Sequence, residues 1–420
     1  MFNLIMKRIQ TSLFIVLTGI LIGLNGLLFR PNSTDITDVE ELINHEQMTP
    51  QKLVYETAEI IHDNYYDSSL NHQDWSRWHH KYRNKIKTSA DAKIAIDTML
   101  SSLNDPYSRF MDKEEYTAQN DSIKSKITGI GVNITSVSGK IKVVNVVDNT
   151  PAKYANILPN DIILEIDGIN VNGLSLSKVA ELVRGSENTF VKLTILRNED
   201  KIVKNVMRKE IKLKSVKSSI DKNIGYIQIT SFVSSSTPNE FIEALTKTHD
   251  TNGLIIDLRG NTGGLLPNAV FIANLFIPQG NIVSIVGRNG YKHIIRAQNT
   301  DLHVNKPLVL LVDESSASAS EILSGALKDY KKAIIVGTRT YGKGMVQKII
   351  PLPNETGLNL TIAKYLTPNG TDINKIGITP DVEVNFSIKD VQTHTDSQLI
   401  EAKKIMNKLI ASSDKNNNNK

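Results

Sequence analysis

Hydrophobic positions follow three different spacings along this chain. From Leu13 to Phe29 they are nearly continuous, in the uncharged run "LFIVLTGILIGLNGLLF". At roughly 1.5 Å per residue such a helix is about long enough to cross a bilayer. Lys7 and Arg8 precede it, which predicts a cytoplasmic N-terminus. Gly23 and Asn25 make a poor cleavage site, so an uncleaved anchor is favoured over a cleaved signal peptide. From Pro50 to Leu103 the spacing becomes helical, with Leu53, Ala58 and Ile61 in one segment and Ala92, Ile96 and Leu100 in another. "NDPYS", Asn104 to Ser108, ends that region in a turn.

Beyond residue 126 the spacing shortens. Ile134, Val143, Val144, Val146 and Val147 alternate with polar residues around a Ser138-Gly139 turn. "ILPNDIILEIDGINV" follows with a turn at Asp167-Gly168, then the amphipathic "SLSKVAELVRG" with Val179, Leu182 and Val183 on one side. "FVKLTILR" reads as the closing strand of a small, partly open barrel enclosing two helices. From about Ile211 apolar runs such as "GLIID", "IVSIV", "LVLLV" and "AIIVG" alternate with helical segments, which predicts a layered α/β core. The expected fold is therefore multi-domain α+β, in seven segments. These are a signal anchor (1–31), a polar linker (32–49), a helical region (50–126) and the small β-barrel unit (127–209). The α/β core (210–386), a C-terminal helix (387–411) and a polar, disordered tail (412–420) complete the chain.

Composition narrows the chemistry. A net charge of +5 over 420 residues describes scattered surface lysines rather than a nucleic-acid face. There are no cysteines, which excludes disulfides, thiolate metal sites and cysteine nucleophiles.

Serine is a candidate nucleophile, and "VDESSASASEILSG" concentrates it at Ser315, Ser316, Ser318 and Ser320, between an apolar run and a helix. A hydroxyl there is exposed, and the helix start offers unpaired N–H groups to a developing oxyanion. The same position suits a helix cap, and this segment alone leaves both readings open. A nucleophilic serine needs a base. His293 and His303 lie in a peripheral hairpin and loop without an obvious acid partner. Lys343, flanked by Gly342 and Gly344 in "TYGKGMVQ", can enter a tight pocket. To act as a base its pKa must fall from about 10.4 to about 7–8, on the order of 4 kcal/mol of bias against the charged form. Burial among Ala317, Ala319, Gly342 and Gly344 would supply it; Glu321 would oppose it unless turned away, screened or paired.

Two resemblances choose between these readings. Residues 127–209 resemble a PDZ domain, with Gly129-Ile130-Gly131-Val132 similar to its carboxylate-binding loop and Asn156 and Asn160 where glycine is usual. Such a loop turns backbone N–H groups toward a chain-terminal carboxylate, and an edge strand accepts the peptide. The order "DPYS", PDZ unit, "DLRGNTGG", "SASASEI", "YGKGMVQ" resembles the carboxyl-terminal processing (tail-specific) proteases, serine endopeptidases with a serine–lysine dyad. "GNTGG" departs mildly from the commoner N-P-G-G ending.

The resemblance implies Ser318 as nucleophile, Lys343 as base and Gln347 as the residue that orients it. In a straight strand Lys343 and Gln347 would stand about 13 Å apart, so that contact requires a turn at Gly344. It also implies an oxyanion hole from backbone N–H groups of Ala319 and of Gly263 or Gly264. Arg184 becomes a possible sensor coupling tail binding to the active lysine, against a plain helix-end arginine. The expected protein is envelope-facing, anchored in the inner membrane, cleaves substrates with apolar C-terminal tails, and uses no metal or nucleotide. A homodimer and an activator protein are possible partners. The rivals are an inactive PDZ-bearing scaffold and a serine–lysine amidase.

Overall fold

A computed structural model of the chain describes residues 48–123, 127–211, 214–393 and 395–417. The apolar segment Leu13–Phe29 lies outside the described residues. Among the described residues no helix is long and apolar enough to cross a membrane. Two compact units emerge: Asp121–Lys214, and a larger one built from the chain before residue 121 and after residue 214.

The smaller unit is an antiparallel sheet in the order Val132–Val137, Lys140–Val146, Ile162–Ile166, Phe190–Arg197, Asp200–Met207, with Ile169–Asn170 beside the third strand. A separate two-stranded ribbon pairs Ile127–Gly129 with Lys209–Ile211. Ile141, Val143, Ile163, Ile166, Val191, Leu193 and Ile195 point inward and close on the helix Leu176–Val183 through Val179. Phe190–Arg197 does not close the sheet as expected; Asp200–Met207 pairs along its whole length. Asn198 and Glu199 make the hairpin turn, at φ 48° and 74°. Asn156 and Asn160 adopt the left-handed backbone that glycine would otherwise serve, at φ 56° and 74°. Directly after Asn160, buried Asp161 accepts from both Arg197 Nε and a terminal nitrogen, each at 2.7 Å.

The larger unit carries a six-stranded sheet in the order Val216–Asp221, Ile224–Ile229, Gly253–Asp257, Leu308–Val312, Ile334–Gly337, Val382–Glu383. Only the first pair is antiparallel. Gly253–Asp257 and Leu308–Val312 are buried at every position, as parallel strands covered on both faces must be. Their period of two divides the core. Leu254, Ile256, Leu310 and Val312 pack with Phe241, Leu323 and Ala326 of the helices Thr237–Lys247 and Ala319–Asp329. Ile255, Val309 and Leu311 face Ala402, Met406 and Ile410 of the helix Ser397–Asn417. That last helix runs to Asn417 rather than stopping at 411. Its polar end contains neither glycine nor proline, and the Ser412 and Ser413 hydroxyls donate to the carbonyls of Lys408 and Leu409.

A second, antiparallel sheet holds Arg109–Met111, Thr356–Leu366, Asn281–Gly287 and Lys292–Arg296 in that order, with Met345–Leu352 also on Thr356–Leu366. "IVSIV" therefore belongs here, not to the parallel sheet. Because Arg109–Met111 pairs with Thr356–Leu366, the helices Pro50–Asn64 and Ser89–Ser102 share the core of the larger unit instead of forming a domain of their own.

A partly buried ion network anchors the C-terminal helix to the loop after Gly253–Asp257. Arg259 donates to both carboxylate oxygens of Asp257 and, at 2.8 Å each, to both of Asp396. Tyr226 Oη donates to Asp257 at 2.7 Å. Burial is the largest single influence on the Asp396 carboxylate and works against it, but the hydrogen bonds from Arg259 and from Leu399 N, with the Arg259 charge, together outweigh it and hold its pKa low. Arg259→Ala leaves Asp257, 1% exposed, as an unpaired buried charge. The larger unit should lose on the order of 3–5 kcal/mol, read by urea denaturation. The contribution of Asp396 should be full above about pH 4 and disappear as pH falls further through the lowered value.

Candidate active site

Ser318 occupies the turn between the buried strand Leu308–Val312 and the helix Ala319–Asp329, at φ 56° and ψ −113°. For a residue with a side chain that backbone costs of order 1–3 kcal/mol, and surrounding contacts must impose it. They do. Ser316 Oγ donates to Leu258 O at 2.8 Å and accepts from Asp313 N at 3.0 Å. Ser320 Oγ donates to Asn261 O at 2.8 Å, and Ala317 N donates to the same carbonyl at 3.1 Å. Both serines are fully buried. Of the four candidates, two are therefore fasteners, Ser315 lies exposed, and Ser318 is the half-buried one held in a strained turn.

The loop after Asp257 lies against that turn. A side chain on Gly263 (φ 102°) would come within 2.7 Å of Ala317 O, 2.9 Å of Ser318 Cβ and 3.0 Å of Ala319 N, so only glycine fits. Buried Asn261 shapes the loop: its Nδ2 donates to Ile229 O at 2.7 Å and its Oδ1 accepts from Gly263 N at 2.9 Å. Gly263 N–H is thus already engaged. Among the described residues, the N–H groups of Ala319 and Gly264 have no acceptor.

Glu321, one helical turn past Ser318, is completely buried yet does not pair with the lysine amine. Its Oε2 accepts from the backbone N–H of Ser318 at 2.8 Å and of Lys343 at 2.9 Å. Its Oε1 accepts from Gly342 N at 2.7 Å and Thr340 Oγ1 at 2.6 Å. One carboxylate therefore ties the backbone of the candidate nucleophile to that of the candidate base. Buried Tyr365 donates from Oη to Ser318 O at 3.1 Å; its hydroxyl is pushed well up, by burial first and then by Glu321.

Lys343 is half-buried, with Nζ 4.7 Å from the centre of the Tyr107 ring. Burial lowers its pKa, against an upward pull from Asp105 and then Glu321. Among the described residues Nζ has no hydrogen-bond acceptor, and no hydrogen bond joins it to Ser318 Oγ. Among the described residues no hydrogen bond joins Gln347 to Lys343 either. Gly344 is followed directly by the strand Met345–Leu352, which is bulged between Val346 and Gln347, and Gln347 Nε2 lies 3.4 Å from Thr361 Oγ1. His293 lies in the Asn281–Arg296 hairpin and is held low by burial and then Arg296. Among the described residues neither His293 nor His303 hydrogen-bonds a carboxylate.

Tyr107 and Asp105 were legible only as a turn. The Asp-Pro beginning that turn was the available signal, and the pairing of Arg109–Met111 with Thr356–Leu366 carries it to the lysine. Thr340 and Asn261 stood inside the motifs "TYGKGMVQ" and "DLRGNTGG" without a role of their own, and Tyr365 had no sequence signal. The exposed cluster of Glu59, His62 and Asp63 could share an ion, but none of the three belongs to this constellation.

In the smaller unit, Gly129–Val132 line a groove together with Ile134, Val183 and Arg184. The strand Val132–Val137 stands at the sheet edge, and Arg184 is exposed at the end of the helix Leu176–Val183. At Gly131 (φ 86°) a side chain would strike Thr150 at 2.4 Å.

Comparison with known proteins agrees with both units. A family described as "Peptidase family S41" matches residues 223–384, and one described as "PDZ domain" matches residues 128–207. The chain is 34% identical over 363 residues to a carboxyl-terminal-processing protease of Synechocystis sp., covering 83% of this chain and 84% of the relative. It is 40% identical over 299 residues to a carboxy-terminal-processing protease of Bartonella bacilliformis, covering 69% and 68%. Among solved structures, the photosystem II D1 C-terminal processing protease superposes with a TM-score of 0.55 at 31% identity, over 80% of this chain and 94% of that one. The chain accordingly belongs to the S41 serine peptidases, in the PDZ-bearing group of carboxyl-terminal processing proteases.

Proposed function

We propose that the chain cleaves protein substrates whose C-terminal tails it holds in the groove of its PDZ unit, with Ser318 as nucleophile and Lys343 as base. One observation carries the reading: a single buried carboxylate, Glu321, accepts from the backbone of both residues, beside the unpaired N–H of Ala319.

Neutral Lys343 takes the Ser318 hydroxyl proton as Oγ attacks the scissile carbonyl carbon. The oxyanion of the tetrahedral intermediate accepts from Ala319 N–H and Gly264 N–H. Its collapse breaks the C–N bond, and the lysine gives its proton to the leaving amine. Water, deprotonated by the same amine, then hydrolyses the acyl ester and restores Ser318. The base must lose a proton to start, so activity rises with pH through the pKa of Lys343. Desolvation moves that pKa toward neutrality.

The half-buried groove and the edge strand Val132–Val137 support recognition of an apolar tail by strand addition, with Arg184 at the rim as its reporter. We assign the protein to the outer side of the bacterial inner membrane, held by residues 13–29, on sequence alone. An inactive scaffold is disfavoured because Ser318 and Lys343 are both present on an intact peptidase fold.

Ser318→Ala and Lys343→Ala should each lower kcat for an unfolded, apolar-tailed substrate by roughly 10³-fold or more, seen as substrate persisting on gels. Equal stability of that substrate with wild type and Lys343→Ala would favour the scaffold. Glu321→Gln keeps the volume but turns an NH₂ toward groups that donate. Misplacing the dyad in this way should cost kcat about 10²-fold with little change in KM. Amidating the tail of a binding peptide removes its carboxylate and should weaken binding to wild type by about 10–100-fold in fluorescence anisotropy. An unchanged affinity would remove the carboxylate loop from the reading.

A further inference from the structure

The Lys343 amine has one close neighbour that neither the dyad nor the oxyanion site uses. Its Nζ lies 4.7 Å from the ring centre of Tyr107. A ring face attracts an ammonium through its quadrupole and offers nothing comparable to a neutral amine.

The turn that carries the ring is firmly held. Tyr107 N donates to Asp105 Oδ1 at 2.9 Å, and Ser108 Oγ donates to Asp105 Oδ2 at 2.6 Å. Ser108 Oγ in turn accepts from Thr361 N at 3.0 Å, and Tyr107 O accepts from Asn359 Nδ2 at 3.1 Å. Thr361 and Asn359 belong to the strand Thr356–Leu366, where Thr361 is the register partner of Gln347. The turn that carries Tyr107 and the strand that follows Lys343 are thus fixed to one common strand.

We propose that Tyr107 is the positioning residue for the Lys343 amine: its ring face seats the protonated amine and releases the neutral one toward Ser318. Proton loss then both activates the base and frees it to move. This accounts for an amine that rests on an aromatic face with no hydrogen-bonded acceptor.

The other titratable groups around the amine are few. Asp105 faces it from the same turn as Tyr107, and Glu321 from the helix Ala319–Asp329; both favour the charged form. Tyr341, two residues before Lys343, neighbours the Tyr107 hydroxyl. From the remaining side, residues 374–377 pack on Gly342 and Gly344, and the Lys375 side chain there is exposed. Asp372 on the same segment is paired with Lys364 at 2.9 Å. None of these offers the amine a second aromatic face.

The kinetic arm of the test rests on Lys343 being the base; the spectroscopic arm does not. The full chain labelled with ¹³C-lysine gives the Lys343 titration midpoint from its Cε shift, with Lys343→Ala identifying the signal. The acid limb of kcat/KM is measured on an unfolded, apolar-tailed substrate. A seat that favours the charged form raises the midpoint, so Tyr107→Leu should lower both the midpoint and the limb by about 0.5–1.5 pH units. Tyr107→Phe should leave both near wild type. If Tyr107→Leu does not fold, mono-, di- and trifluorinated phenylalanine at position 107 preserve the shape while weakening the ring face, and the midpoint should fall stepwise. A midpoint unmoved across folded variants overturns the seat. A midpoint that moves while the acid limb does not supports the seat and overturns Lys343 as the base.

Discussion

The active region depends on a carboxylate that is never exposed. Glu321 sits one turn into a helix whose first N–H groups have no partner inside the helix, and it satisfies one of them, that of Ser318. Its other contacts reach across to Thr340, Gly342 and Lys343. A buried charge is costly unless fully hydrogen-bonded, and this one has four donors. The same geometry explains how an anion can sit beside a lysine whose burial favours the neutral amine. The charge is spent on backbone N–H groups, not on the amine. The lysine meets its residual field, opposed by desolvation.

That arrangement is possible because the parallel sheet delivers its loops to one place. Gly253–Asp257 and Leu308–Val312 are adjacent strands, and both of their outgoing turns lie together. Asp313 from one turn accepts Gly260 N of the other at 3.0 Å. Asn261 and Ser316 complete the fastening. The strained backbone at Ser318 is therefore imposed from both sides, by side chains whose own polar groups are satisfied. This is how open α/β sheets place sites outside the carboxyl ends of their strands.

Much of this could be read from the chain. The uninterrupted apolar runs announced buried parallel strands, and Ser138-Gly139, Asp167-Gly168, Asn156 and Asn160 announced left-handed turns that the structure contains. Ser318 was separable from its neighbours only through the motif; its distinction is a backbone angle, which composition does not encode. Other features are purely tertiary. "IVSIV" has the composition of a buried parallel strand, yet its partner is Thr356–Leu366 in the other sheet. The helices before residue 103 look autonomous because their periodicity is local, whereas their core is shared with residues far along the chain. Gln347 was assigned to the lysine on the assumption of a bend at Gly344. Strand pairing continues there, with a bulge between Val346 and Gln347, and leads the amide to Thr361 instead.

The way the larger unit is threaded has a consequence for biosynthesis. Arg109 pairs with Asn359, and the entire PDZ unit is spelled out between them. Contacts so distant in sequence close late. A nascent chain therefore carries its PDZ unit well before it owns a peptidase centre. Emerging from the ribosome, such a chain is spared the hazard of digesting itself or its neighbours until nearly all of it has been made.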